Sequence, residues 1–187
     1  TRHLTHNCGF NIVAVEADWP DASNIDRYVR HHPPTPSRER AFDRFPSWMW
    51  RNVEVLEFVN WLKQENTLRA DKDRVEFRGL DIYSLHTSIA AVLHYLSQVD
   101  PASAAEARQR YGCLTPWQSD PASYGRQAML GGELCANEVQ EQLVALLERR
   151  LEYAAKDGES FFDAAQNARI VRSAEQYYRI MYQGSRE

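Results

Sequence analysis

The chain has 187 residues, of which 43% are hydrophobic, 11% aromatic and 26% charged, enough for a domain with a sizeable buried core. Lys and Arg number 22 against 26 Asp and Glu, and the resulting net charge of −4 excludes the basic stripe that a nucleic-acid partner would require. No apolar run approaches the roughly 18 to 20 residues that span a bilayer, and the N-terminus lacks a signal peptide's apolar stretch. A soluble, cytoplasmic protein with neither nucleic acid nor membrane as partner is expected. The cysteines, Cys8, Cys113 and Cys135, are odd in number, widely spaced and fit no CxxC pattern, so free thiols are expected.

Thr1 to Asn7 read as the end of a helix closed at Cys8-Gly9, because glycine suits the left-handed residue that follows a helix. Phe10 to Glu16 then form a short β-branched apolar run, the pattern of a strand buried on both faces of a parallel sheet. Asp18-Trp19-Pro20-Asp21 breaks the strand and starts a helix to about Arg30, with Ile25, Tyr28 and Val29 at helical spacing. The prolines of His31-His32-Pro33-Pro34-Thr35-Pro36 end it and predict a surface loop.

Ser37 to Phe45 can form a short helix, and a longer one opens at Ser47 and runs through Val55, Phe58, Val59 and Leu62. Its wide apolar stripe predicts that it is mostly buried. Arg74 to Ile82 alternates apolar and polar residues and reads as a second strand. Ser84 can cap the next helix, which carries Leu85, Ile89, Val92, Leu93 and Leu96. Another helix runs from Asp100-Pro101 to Gly112, and the stretch from Thr115 to Gly132 loses periodicity. From Glu133 to about Lys156, and again from Ser160 to Gln183, apolar residues recur at three and four, predicting a helical hairpin that turns at Gly158.

Two strands joined by helices pair in parallel if they share a sheet, and two such strands are too few to stand alone. The expected fold class is α/β with predominantly helical content. Its parallel strands, at about 11–16 and 74–82, would come from a larger sheet, with a C-terminal helical hairpin. Residues 1–114 would be part of an α/β catalytic core with inserted helices, 115–132 an irregular connection, and 133–187 the hairpin packed on the same domain. The chain reads as a piece of a larger enzyme.

Both strands end in a carboxylate, Glu16 and Asp81, and in open α/β sheets ligands bind beyond the carboxyl ends of the strands. Each carboxylate could instead cap the following helix or pair with an arginine. The blocks from Gly9 to Asp21 and Asn24 to Arg30, then Arg44 to Asn52 and Gly79 to Leu85, closely resemble the erythromycin esterase family. So do Gln166-Asn167-Ala168-Arg169 and Ala174-Glu175-Gln176-Tyr177-Tyr178-Arg179, and the resemblance covers nearly the whole chain in order.

The resemblance implies an α/β hydrolase with added helices, in which activated water attacks an ester or macrolactone, without metal, cofactor or covalent intermediate. The family's general base is a histidine in a Gly-Glu-x-x-His-Gly motif before the matched segment, and a second histidine follows it. Neither motif is in this chain, so the expectation is a central fragment that is inactive alone. Glu16 matches the family's active-site glutamate, which would orient or polarise the histidine from a buried position. Asp18, Arg44, Arg51 and Asp81 lie in matching blocks and are assigned to the neighbourhood of the cleft, for substrate contact or support. For the two arginines, a salt bridge between helices and sheet fits equally well. The expected partner is a small-molecule ester.

His3 and His6 have a spacing that can present two ligands on a helix, but no obvious third ligand accompanies them, so no metal is expected. His31 and His32 are expected to be solvated. Trp48, Trp50, Phe58 and Trp61 either pack the core or line an apolar pocket. Ser47, Ser84 and Ser160 look like helix caps, and no GxSxG elbow occurs to support a serine nucleophile. Two other readings stay open: a metal-dependent hydrolase of related scaffold, and a non-catalytic module that binds a partner through its C-terminal hairpin.

Overall fold

In the computed structural model, residues 1–33, 47–118, 120–132 and 134–181 are described. Strands β1 (Ile12–Asp18) and β2 (Glu76–Asp81) pair in parallel, and most of the remainder is helical. The chain divides into two units, Thr1–Asp81 and Ile82–Glu187. The division falls at the end of β2. Among the described residues, no helix is long and apolar enough to cross a membrane.

The first unit opens with α1 (Arg2–Asn7), and Gly9 follows it at φ +73°, the left-handed conformation read from the sequence. Side chains alternate along β1, so Val13, Val15 and Ala17 meet the core that contains Ala22, Val29, Val59, Leu62, Val75 and Phe77. Ile12, Ala14 and Glu16 point the other way and are exposed. This corrects the expectation of a strand buried on both faces. Among the described residues of this unit, helices cover one side of the two-stranded sheet.

Helix α2 (Trp19–Val29) begins directly after β1 with Pro20 in its first turn, where a missing N–H costs nothing. Its Asp26 is buried, and its Oδ1 accepts a 2.8 Å hydrogen bond from the Phe77 amide of β2. A side chain thus closes an edge amide that would otherwise seek another strand. Near the other end of β2, a Cβ on Gly79 would meet the Ala17 carbonyl at 2.5 Å and the Asp18 carbonyl at 2.9 Å. β1 is irregular between Val15 and Asp18, and only a residue without a side chain lets it pass so closely.

The long helix expected from Ser47 is broken into α3 (Ser47–Trp50) and α4 (Val53–Thr67). Asn52 is the reason, because its Oδ1 accepts from the Val55 amide at 2.8 Å while its Nδ2 donates to the Met49 carbonyl at 2.9 Å. The stripe is only partly buried. Trp50, Phe58 and Trp61 pack against the core, whereas Trp48, Val53 and Leu56 are exposed. Asn66, fully buried near the end of α4, donates to the carbonyls of Val29 at 3.0 Å and Val75 at 2.9 Å. Its Oδ1 accepts from the Val75 amide at 2.7 Å, so one amide ties α2, α4 and the approach to β2 together. His31 stands at φ 62° and its Nε2 lies 3.1 Å from both the Lys63 carbonyl and Thr67 Oγ1. It is held on α4 rather than merely solvated.

The second unit is helical: α5 (Leu85–Val99), α6 (Pro101–Tyr111), α7 (Pro121–Met129), α8 (Ala136–Glu148), α9 (Arg150–Lys156) and α10 (Gly158–Met181). The stretch 115–132, expected to be irregular, contains part of a 3-10 turn (Gly112–Trp117) and all of α7. Helix α10 packs on α5 and α8, and its buried residues include Ala164, Ala165, Ala168 and Ala174, small enough for close helix approach. The first arm of the expected hairpin is divided at Arg149, whose guanidinium pairs with Asp100 and Glu152. Asp100 caps α6 by accepting from the Ser103 amide at 3.2 Å, and it also accepts a 2.8 Å bond from the buried Tyr153 hydroxyl. Asp157 rather than Ser160 caps α10, accepting from the amides of Glu159 and Ser160 at 3.1 Å each.

Cys113 and Cys135 are disulfide-bonded with Cα atoms 5.9 Å apart, which corrects the free-thiol expectation at both positions. Spacing alone could not show this pair, because the turn after α6 and the entry to α8 meet only in the folded unit. Cys8 is free and exposed.

Candidate active site

Parallel pairing puts the carboxyl ends of β1 and β2 on one edge of the sheet. Asp18 stands opposite Asp81 in the register, and neighbouring strands lie about 4.8 Å apart, so two acidic residues are cross-strand neighbours there. Glu16 lies two residues before Asp18 on the exposed face of β1. Three of the residues singled out in the sequence therefore belong to one strand edge. The exposure of Glu16 departs from the buried position that its expected role requires.

Arg51 does not share this placement. Arg51 lies exposed between α3 and α4, on neither strand, and Arg44 falls outside the described residues. Asp18 occupies the capping position of α2, but its side chain makes no cap bond to the helix. Capping is therefore not what its carboxylate does.

A charged cluster that periodicity did not reveal lies along β2, toward the start of the strand and away from its carboxyl end. Arg78 of β2 contacts Asp26 Oδ2 at 3.3 Å and Glu76 Oε2 at 2.9 Å, and its guanidinium carbon is 5.4 Å from the centre of the Trp19 ring. Arg30 Nη1 reaches the same Asp26 oxygen at 3.3 Å. Burial pushes the Asp26 carboxyl above the usual carboxylate range, against the opposing pull of Arg78, the Phe77 amide and Arg30. The i,i+4 spacing of Asp26 and Arg30 was a legible signal. Nothing local showed that Arg78 would join them.

The histidines of α1 are engaged elsewhere in the unit. His6 Nδ1 lies 3.1 Å from Glu65, and Asn7 Nδ2 lies 3.1 Å from His3 Nδ1. Among the described residues, no group of three or more His, Cys, Asp and Glu gathers to hold a metal ion. Ser84 is buried, with its hydroxyl 3.2 Å from that of Ser88 and no cap bond, an arrangement unlike an activated nucleophile.

Fold and site together define the class: a mostly helical α/β protein with acidic residues at the carboxyl edge of its parallel strands. The family model described as Erythromycin esterase matches residues 5–187, and the chain belongs to that hydrolase-like family. Two solved structures are similar. One, a protein from Bacillus cereus, is 22% identical with a TM-score of 0.71, and the match covers 95% of this chain and 42% of that one. The other, a succinoglycan biosynthesis protein, is 18% identical with a TM-score of 0.62 over the same shares, 95% and 42%. At these identities the likeness shows the fold alone. The chain spans less than half the length of either solved relative.

Proposed function

We propose that the whole protein is a carboxylic ester hydrolase in which activated water attacks an ester or macrolactone carbonyl, and that Glu16 orients the water-activating histidine. The observation that carries this reading is the position of Glu16 at the carboxyl end of β1, inside the family match over residues 5–187. The glutamate carboxylate would accept a hydrogen bond from the histidine ring and stabilise the imidazolium formed as water loses its proton. That histidine would come from sequence outside this chain and stand over the face of β1 that carries Glu16. The chain by itself would then be inactive.

Asp18 and Asp81 would line the same edge, with Arg44 and Arg51 serving substrate contact or structural pairing. The substrate would be a small-molecule ester, with macrolides the class that the family name suggests, and a cytoplasmic setting fits the composition. Metal and cofactor are not required by this scheme.

The test uses the full-length protein with macrolide and simple ester substrates, and measures hydrolysis before and after Glu16→Gln. The exchange removes the charge but keeps the size, and kcat should fall by about 10² to 10⁴-fold, the range for acid–base participation. Urea unfolding of the variant, with a loss below about 1 kcal/mol, separates lost catalysis from lost fold. Full activity in the variant would refute the assignment of Glu16, and loss of activity with a chelator would favour a metal-dependent hydrolase.

A further inference from the structure

The second unit contains a pair of cysteines that ester hydrolysis does not use. Cys113, in the 3-10 turn after α6, is half-buried, whereas Cys135, at the entry to α8, is 2% exposed. Their bond closes a span of 22 residues that holds α7. The Cys135 amide donates to the Tyr124 hydroxyl at 2.9 Å, and Tyr124 in turn donates to the buried Glu175 at 2.7 Å. Arg179 Nε reaches the same Glu175 oxygen at 2.8 Å. The sulfur pair is therefore joined, through one backbone amide and one phenol, to the contact between α7 and α10.

Two features separate this pair from a permanent staple. Disulfides that replace a core occur in short, cysteine-dense chains, but this chain has 3 cysteines in 187 residues and an extensive apolar core around the pair. The third cysteine, Cys8, is free and exposed, a condition that a thiol keeps best in reducing surroundings. The unequal burial of the pair also sets an order of attack, because a small thiol or disulfide reaches Cys113 before Cys135.

We propose that Cys113 and Cys135 are a reversible dithiol–disulfide couple that exchanges with glutathione and sets how firmly α7 is held against α10. In the oxidising direction the Cys113 thiolate attacks one sulfur of glutathione disulfide, forming a mixed disulfide and releasing one glutathione thiolate. The Cys135 thiolate then attacks the Cys113 sulfur, forms the internal bond and releases the second glutathione. The protein gives up two electrons and its two thiol protons, and glutathione disulfide becomes two glutathiones. Reduction runs through the same mixed disulfide, again at Cys113.

The test equilibrates the full-length protein in buffers of graded reduced to oxidised glutathione, quenches with an alkylating agent, and counts alkylated thiols by peptide mass spectrometry. The 113–135 disulfide should rise with the oxidised fraction while Cys8 stays free of internal pairing. Limited proteolysis within 114–134 should be faster in the reduced protein by at least about tenfold, equivalent to about 1.4 kcal/mol of local opening. Cys113→Ser should show the fast cleavage in every buffer, and Cys8→Ser should respond as the parent does. Thiols alkylated at both positions in every buffer would overturn the proposal, as would a bond that resists a large excess of glutathione. Equal cleavage rates at both ends of the series would overturn the coupling to α7. If Cys113→Ser fails to fold, the parent series alone decides.

Discussion

Asn66→Ala is the substitution whose cost follows most directly from the hydrogen bonds of the structure, at a position with no catalytic role. The side chain is fully buried and satisfies three backbone groups, the Val75 amide and the carbonyls of Val29 and Val75, at 2.7, 3.0 and 2.9 Å. Alanine leaves all three without that partner, and each unsatisfied buried group costs about 1 to 3 kcal/mol. The carbonyls belong at the lower end because each has a second lone pair. A total loss of about 3 to 5 kcal/mol follows, a large fraction of the roughly 5 to 15 kcal/mol that holds a typical domain together. Urea unfolding followed by circular dichroism measures the loss, and amide exchange at Val75 reports it locally through lost protection. Asn66→Asp is a sharper control, because it keeps the acceptor for Val75 but faces two carbonyls with a charge. It should be at least as damaging at neutral pH and should recover in part when acidified. A cost below about 1 kcal/mol for Asn66→Ala, with Val75 still protected, would refute the tie between α2, α4 and β2.

Gly79→Ala should cost about 1 to 3 kcal/mol in urea unfolding, because its Cβ would press on the Ala17 and Asp18 carbonyls at the irregular end of β1. Asp26→Ala should cost about 3 to 5 kcal/mol by leaving buried Arg30 and part-buried Arg78 without their shared carboxylate. Asp26→Asn, which keeps an acceptor for the Phe77 amide, should cost less in the same assay. For Glu65, burial raises the carboxyl pKa, but hydrogen bonds from Arg69 and His6 and their charges outweigh it, leaving the group below its ordinary value of 4.5. A depressed carboxylate stabilises the fold above the unfolded value and loses that contribution as pH falls through the folded one. Glu65→Gln should therefore remove part of the stability loss seen on acidification below about pH 4.5, read as a flatter acid limb in a pH series of urea midpoints.

The candidate site was half legible. Glu16, Asp18 and Asp81 could be placed because a strand end followed by a helix start is a local pattern, and parallel strands put both ends on one edge. Arg51 belonged to a matching block but sits between helices, because Asn52 turns its side chain onto the backbone and restarts the helix there. Arg78 read only as a polar position on an alternating strand. Its pairing with Asp26 spans 52 residues of sequence and depends on α2 lying along β2.

Periodicity and turn chemistry by themselves determined the two strands and the helix α2 between them, the parallel sense of the strands and the helical character of the C-terminal part. Those features follow from spacing and propensity within about a dozen residues and from the handedness of the crossover between strands. Only the tertiary structure decided that β1 is covered on one face, that Asp18 stands beside Asp81, and that Asn66 and Asp26 satisfy buried backbone groups. It alone paired Cys113 with Cys135. Each of these depends on which distant segments meet once apolar faces are removed from water, and no local pattern records that choice.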